Sequence, residues 1–203
     1  MVATILATAL LAPTVHLEAK LPKSTFQHEE KIRIEIVAVN DSNQEIVIGR
    51  SALGNYGSGN MDGSVTFLGD LKPELNHHNP NRGQIMSGPT LHVTEDGFAV
   101  IPPKGRAVVF YEQIDGEWKD GYTPWNAPRG IQAISIPARS GDYKFAYTYS
   151  FDRKTAQTNL QKAANPWFDG DSTRPIVFDG KAKTRFNAAV EGKWTVTGSF
   201  KIS

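Results

Sequence analysis

Cysteine is absent from this 203-residue chain. That excludes disulfide staples, thiolate nucleophiles and cysteine-ligated zinc. It does not fix the compartment, because a chain of this length can build a core without covalent staples. Charge of one sign is also lacking: 22 Lys and Arg stand against 21 Asp and Glu, a net charge of +1. Such a balance gives no long-range field to draw in nucleic acid or an anionic membrane, so no nucleic-acid partner is expected. Apolar runs are short. The stretch from Val2 to Ala12 falls well below the roughly 20 residues that span a bilayer, and no other segment is apolar enough for a membrane helix. Motifs of catalysis are missing too. There is no G-x-S-x-G elbow and no H-E-x-x-H, and "GNYGSGNMDG" lacks the lysine and the strand–helix setting of a phosphate loop. A non-enzymatic chain without a cofactor is expected.

What is present at the start is a segment with the length of a signal-peptide apolar region, followed in "ATA" (7–9) by small residues at cleavage-type spacing. Residues 1–14 are therefore expected to be a signal peptide, truncated at its start because the basic n-region is missing, and the chain to be exported to a periplasm or outside the cell. The alternative is a buried first strand or short helix of the domain.

Period-two alternation dominates the rest. "VHLEAKL" sets Val15, Leu17, Ala19 and Leu21 on one face, and "KIRIEIVAV" sets Ile32, Ile34, Ile36 and Ala38 opposite Lys31, Arg33 and Glu35. That is the pattern of half-buried antiparallel strands. "NDSNQ" (40–44) is a turn cluster, since Asn, Asp and Ser side chains bond their own backbone. "FAVIPPKGRAVVFYEQI" is a strand, a stop and another strand. Its two prolines lack backbone donors, so the break belongs at a sheet edge or between sheets. In "SGDYKFAYTYSF", Tyr143, Phe145, Tyr147 and Tyr149 face one way; in "KWTVTGSFKIS", so do Trp194, Val196, Gly198, Phe200 and Ile202. One helix is expected over 152–165, polar, with good helix formers and an Asn-Pro stop. About eight to ten strands with one small helix predict an all-β fold, an antiparallel β-sandwich. Long insertions are expected at about 51–89 and 152–180, in a single domain over 15–203 with one short surface helix.

Four stretches carry a resemblance: "LEAKLPKSTFQHEEKIRIEIVAVNDSNQEI", "VIPPKGRAVVF", "SGDYKFAYTY" and the terminal "WTVTGSFKI". Together they resemble the immunoglobulin-like sandwich domains of bacterial exported proteins. In the third, Asp142-Tyr143 after Gly141 resembles the start of a tyrosine-corner strand. The resemblance implies an adhesion, scaffolding, inhibitor or sugar-binding module. It names no single family, and the chain lacks the cysteine pair of antibody domains.

Candidate site residues lie in the irregular stretches. Trp118, Tyr122 and Trp125 crowd the loop 115–130, with Tyr56 in the neighbouring excursion 55–82. Flat rings stack on sugar faces or accept a peptide's proline, so the expected ligand is a protein or a glycan; the alternative is a satellite core closing the end of the sandwich. A rival reading uses His77, His78 and Asp70 as metal ligands, in a carrier or a metal-dependent hydrolase, with His92, His16 or a distant carboxylate completing the set. The carboxylates Asp169, Asp171 and Asp179 suit calcium by type but lack EF-hand spacing. A third reading inserts the 51–89 loop into a protease cleft as an inhibitor.

Overall fold

The computed structural model describes residues 14–27, 30–50, 65–71, 74–75, 90–114, 132–136, 139–164 and 175–203. These are mostly strand, with two short helices. The segment up to residue 13 lies outside them.

A five-stranded sheet has the order β1-β3-β9-β10-β6, from Val15–Lys20, Ile32–Asn40, Arg106–Ile114, Gln132–Ile136 and Glu74–Leu75. A four-stranded sheet has the order β2-β13-β11-β5, from Thr25–Phe26, Gly192–Ile202, Gly141–Phe151 and Thr66–Leu68. Two further ribbons pair β4 (Ile46–Gly49) with β8 (Phe98–Ile101), and β7 (Leu91–Val93) with β12 (Ile176–Phe178). The expectation of an antiparallel fold needs correcting. Among the described residues β9–β10, β2–β13 and β7–β12 are parallel. Each joins strands that no tight turn connects, and only distant chain segments can pair that way. For β1 and β2 the cause is a change of sheet. The chain runs antiparallel to β3 as far as Lys20, crosses at Leu21–Ser24, and continues as β2 parallel to the end of β13.

Alternation becomes burial where the two larger sheets meet. Ile32, Ile34, Ile36 and Ala38 of β3 share one apolar cluster with Tyr143, Phe145, Tyr147 and Tyr149 of β11. The Phe110 ring of β9 stacks on Tyr147 with centroids 4.9 Å apart and planes at 21°. Phe200 lies flat on Tyr143 at 5.2 Å. Room for these rings is made at Gly198, where a Cβ would stand 2.3 Å from Phe145 Cζ. The Tyr143 hydroxyl turns back to its own chain, donating to the Arg139 carbonyl at 2.6 Å and accepting from the Arg139 amide at 3.2 Å. It thereby fixes the corner through which the chain enters β11.

Strict alternation fails in two places on the first of these sheets. A bulge at Ile36/Val37 shifts the β3–β9 register, and both Val109 and Phe110 become buried. Val37 and Val39 are also buried, although they lie on the face expected to be wet. Glu18 stands beside Val37 and Arg106 beside Val39 in register, and Arg106 Nη1 reaches Glu18 Oε2 at 3.5 Å, so the ion pair straddles β3. Long charged side chains cover apolar surface with their stems while their heads stay in water.

The proline stop falls between sheets. β8 pairs with β4 and β9 with β3, so two strands change partners together at residues 40–46 and 101–106. Asn40, fully buried, fills the crossing. Its Nδ2 faces the carbonyls of Gln44 at 2.7 Å, Ile101 at 3.1 Å and Pro102 at 2.9 Å. Its Oδ1 accepts from the Ser42 amide at 3.0 Å and the Ser42 hydroxyl at 2.7 Å. These partners fix which end of the amide carries the hydrogens.

Helix α1 (Arg153–Ala164) lies within the expected stretch. Asp152 caps it, its Oδ1 accepting from the Thr155 amide at 2.7 Å. It is not confined to the surface: Ala156 and Leu160, one turn apart, are buried in the core. Helix α2 (Ala182–Ala188) corrects the expectation of a single helix. It is seven residues long and has no side-chain cap of its own at Lys181. Its N-terminus is held by a distant carboxylate instead. Glu95 Oε1 accepts from the Lys181 amide at 2.8 Å, and Glu95 Oε2 pairs with Arg185 at 2.9 Å. Ala182 and Phe186, four residues apart, face the core, where Phe186 meets Phe98, Phe151 and Phe178 edge-on.

Candidate functional site

The strands set where the candidate segments leave the fold. Ser135 of β10 has Ile114 of β9 on one side and Leu75 of β6 on the other. Ile114 is the last described residue before 115–131, the segment holding Trp118, Tyr122 and Trp125. Leu75 is the last before 76–89, which holds His77 and His78. Two strand spacings, about 10 Å, therefore separate Ile114 from Leu75, and because β6 runs antiparallel to β10 and β9 parallel to it, the chain leaves these two residues in opposite directions. The parallel β9–β10 pairing supplies this juxtaposition, and nothing in the local sequence announces it.

Trp118, Tyr122, Trp125, Tyr56, His77 and His78 themselves lie outside the described residues, as do Asp169 and Asp171. Asp70 is exposed in the bend after β5. Next to it, Leu71 Cδ1 occupies the space a Cβ on Gly141 would need, and Gly141 has φ 145°. Of the additional ligands considered for a metal, His16 pairs through Nδ1 with Asp41, with Glu18 Oε1 3.7 Å from Nε2. His92 Nδ1 faces both carboxylate oxygens of Asp179, at 3.1 and 3.2 Å. Among the described residues no three His, Asp or Glu side chains come together to hold a metal ion.

These histidine–aspartate pairs were not legible in the sequence. His92 and Asp179 are 87 residues apart and meet because β7 and β12 lie in parallel register, with the Asp179 amide donating to Val93 O at 2.9 Å. All four side chains are substantially exposed. Their geometry ties elements together, His16 holding the start of β1 to the turn after β3.

The buried tyrosines offer no accessible phenolate. Burial raises the ionisation of Tyr147 and Tyr149 far above the ordinary phenol value of 10.0. Among the described residues the Tyr149 hydroxyl has no hydrogen-bond partner. The Gly49 backbone approaches it and opposes the rise slightly, but short of hydrogen-bond geometry. Tyr149 acts as an apolar ring, packed 5.2 Å from Trp194.

Comparison of the chain with protein-family models, curated proteins and solved structures found no match. The functional reading therefore rests on the chain's own chemistry.

Proposed function

We infer that the chain is an exported, non-enzymatic immunoglobulin-like β-sandwich that binds a protein or a glycan through aromatic side chains of its irregular segments. The sheet orders support the fold. β1-β3-β9 matches the succession of first, second and fifth strands in one sheet of such domains, and β5-β11-β13 that of third, sixth and seventh in the other. The Tyr143–Arg139 bonds have the form of a tyrosine corner at the entry to the sixth strand. One departure is β10, which lies parallel to β9 where an antiparallel fourth strand would stand. Export is supported by the apolar run from Val2 to Ala12.

The observation that carries the binding reading is the flanking of Ser135 by Ile114 and Leu75. It roots the Trp118–Tyr122–Trp125 segment two strand spacings from the start of 76–89, the chain departing from the two roots in opposite directions along the sheet, on a scaffold whose interior is packed. Loops on a rigid strand scaffold are where binding residues collect. Tryptophan and tyrosine there supply large contact area at small entropic cost.

The test is a screen of the full chain against glycan and surface-protein arrays, followed by titration of the best ligand with Trp125→Ala and Trp118→Ala. Binding is expected to disappear in Trp125→Ala while the melting temperature stays within a degree or two of wild type. A large drop in melting temperature assigns the ring to the interior and overturns the reading, as does undiminished binding.

A further inference from the structure

The last strand, β13, leaves one of its two edges open. On one side it pairs with β11 along its whole length, from Gly192 to Ile202, without a shift in register. On the other it pairs, among the described residues, with β2 at Lys201 and Ile202 alone. There the Lys201 amide donates to Ser24 O and the Ser203 amide to Phe26 O, each at 2.9 Å. Backbone groups alternate sides along a strand, so the amides and carbonyls of Lys193, Thr195, Thr197 and Ser199 face the same way as those of Lys201. No strand meets them among the described residues.

Two features separate this edge from a guarded one. Natural edges are blunted by proline, by bulges or by inward-pointing charge. Between Lys193 and Lys201, β13 has no proline, no bulge and no charged residue. The core beneath the edge is also incompletely covered. The inward residues of β11 from Tyr143 to Phe151 are all buried, whereas Trp194 and Val196 of β13 are half-buried. Leu17 and Ala19 of β1, which adjoins β13 across the layers, are half-buried too.

We propose that β13 pairs edge to edge with β13 of a second copy of this chain, antiparallel, about a two-fold axis at Val196. The open stretch runs from Lys193, beside the start of the strand, to Ser199, because β2 occupies the edge from Lys201 onward. Val196 is its midpoint, and a two-fold there uses all of it, a ladder of about 20 Å. That register sets Thr195 opposite Thr197, Lys193 opposite Ser199 and Trp194 opposite Gly198, each twice. No like charges oppose one another, hydroxyl meets hydroxyl, and the indole meets a position without a side chain; such pairs favour a ladder. The outward backbone groups of the two copies face each other, so each of their pairs exchanges two hydrogen bonds. An axis at Thr197 would drive Lys193 against Lys201 and into β2. One at Thr195 would leave Ser199 unpaired and crowd Trp194 against Val196. The interface is isologous, one patch serving both copies. It does not depend on the aromatic segments or on any ligand they hold.

Sedimentation equilibrium of the full chain over a concentration series tests this, with disulfide cross-linking in oxidising buffer. Wild type is expected to pass from monomer to dimer as concentration rises. Thr197→Pro removes an outward amide and leaves the β11 ladder untouched, so dimerisation is expected to weaken at least tenfold with circular dichroism unchanged. The chain has no cysteine of its own, so Val196→Cys reads the register without a proline. Across a two-fold at Val196 the two Cα atoms stand about 4.5 Å apart, within disulfide reach. In Thr195→Cys the two copies of the residue lie diagonally, about 7–8 Å apart, beyond that reach. Cross-linking of Val196→Cys is expected to be at least tenfold faster than that of Thr195→Cys. A wild type that stays monomeric at every concentration, leaving the edge to water or to another chain, overturns the proposal. So do assemblies that grow past a dimer, undiminished dimerisation of Thr197→Pro, or equal cross-linking of the two cysteine variants.

Discussion

The side-chain amide of Asn40 donates to the carbonyl of Pro102 at 2.9 Å, across 62 residues of sequence. It does so where two strands change sheets together, and it is the buried polar residue of the described core. Asn40→Ala removes the donor to the Ile101 carbonyl and the acceptor of the Ser42 amide, and takes one of two donors from the Gln44 and Pro102 carbonyls, which keep the Ser42 hydroxyl and the Gly105 amide. A loss of about 2–3 kcal/mol in unfolding free energy is expected. Asn40→Asp is expected to cost more, since a carboxylate would face three carbonyl oxygens. Denaturant melts read both, and a midpoint within error of wild type for either variant refutes this role.

Two tyrosines on one face of one strand, Tyr143 and Tyr149, should respond oppositely to loss of a hydroxyl. Tyr143→Phe removes the bonds to Arg139 and is expected to cost about 1–2 kcal/mol. Tyr149→Phe removes a buried hydroxyl that has no partner among the described residues and is expected to be neutral or slightly stabilising. The difference in thermal midpoint between the two variants is the readout. Equal losses would mean that the Tyr149 hydroxyl is bonded in solution.

Gly198 faces the Phe145 ring with no space for a side chain. Gly198→Ala is expected to destabilise by about 1–3 kcal/mol through overpacking. Phe145→Leu in the same chain should recover part of that loss, because the two residues share one space. A double-mutant cycle measures the coupling, and additive losses would separate them.

The cap of α1 makes stability depend on acid. Hydrogen bonds from the Thr155 side chain and amide, helped by Lys154 and Arg153, hold the Asp152 carboxyl below its ordinary 3.8. A lowered folded value means the stabilisation is complete above the ordinary value and disappears as pH falls through the folded one. Asp152→Asn keeps an oxygen at the cap and has no carboxyl to titrate. Wild type is therefore expected to lose more stability than Asp152→Asn between neutral pH and pH of about 2. Parallel curves for the two chains would contradict the assignment.

Much of the strand content was legible because Ile32, Ile34 and Ile36, and Tyr143 through Phe151, alternate without interruption, and alternation fixes which side chains share a face. The stop at Pro102 and Pro103 marked a break between sheets for the same local reason. Pairing direction was not legible. β10 beside β9, and β7 beside β12, depend on where long connections return. Helix α2 was hidden because its capping carboxylate, Glu95, lies 86 residues from the amide it holds. The proposed binding residues stand out in the sequence by type alone, whereas the adjacency of Ile114 and Leu75 across Ser135 exists only in the register.

All of this rests on the two larger sheets sharing one interior, and the stacked pair Phe110–Tyr147, one ring from each, reports on that directly. Selective labelling of phenylalanine and tyrosine rings, followed by a nuclear Overhauser experiment, is the measurement. Strong cross-peaks between the Phe110 and Tyr147 ring protons are expected. Their absence, with the Tyr143–Phe200 contact within one sheet still visible, would show that the sheets do not face each other.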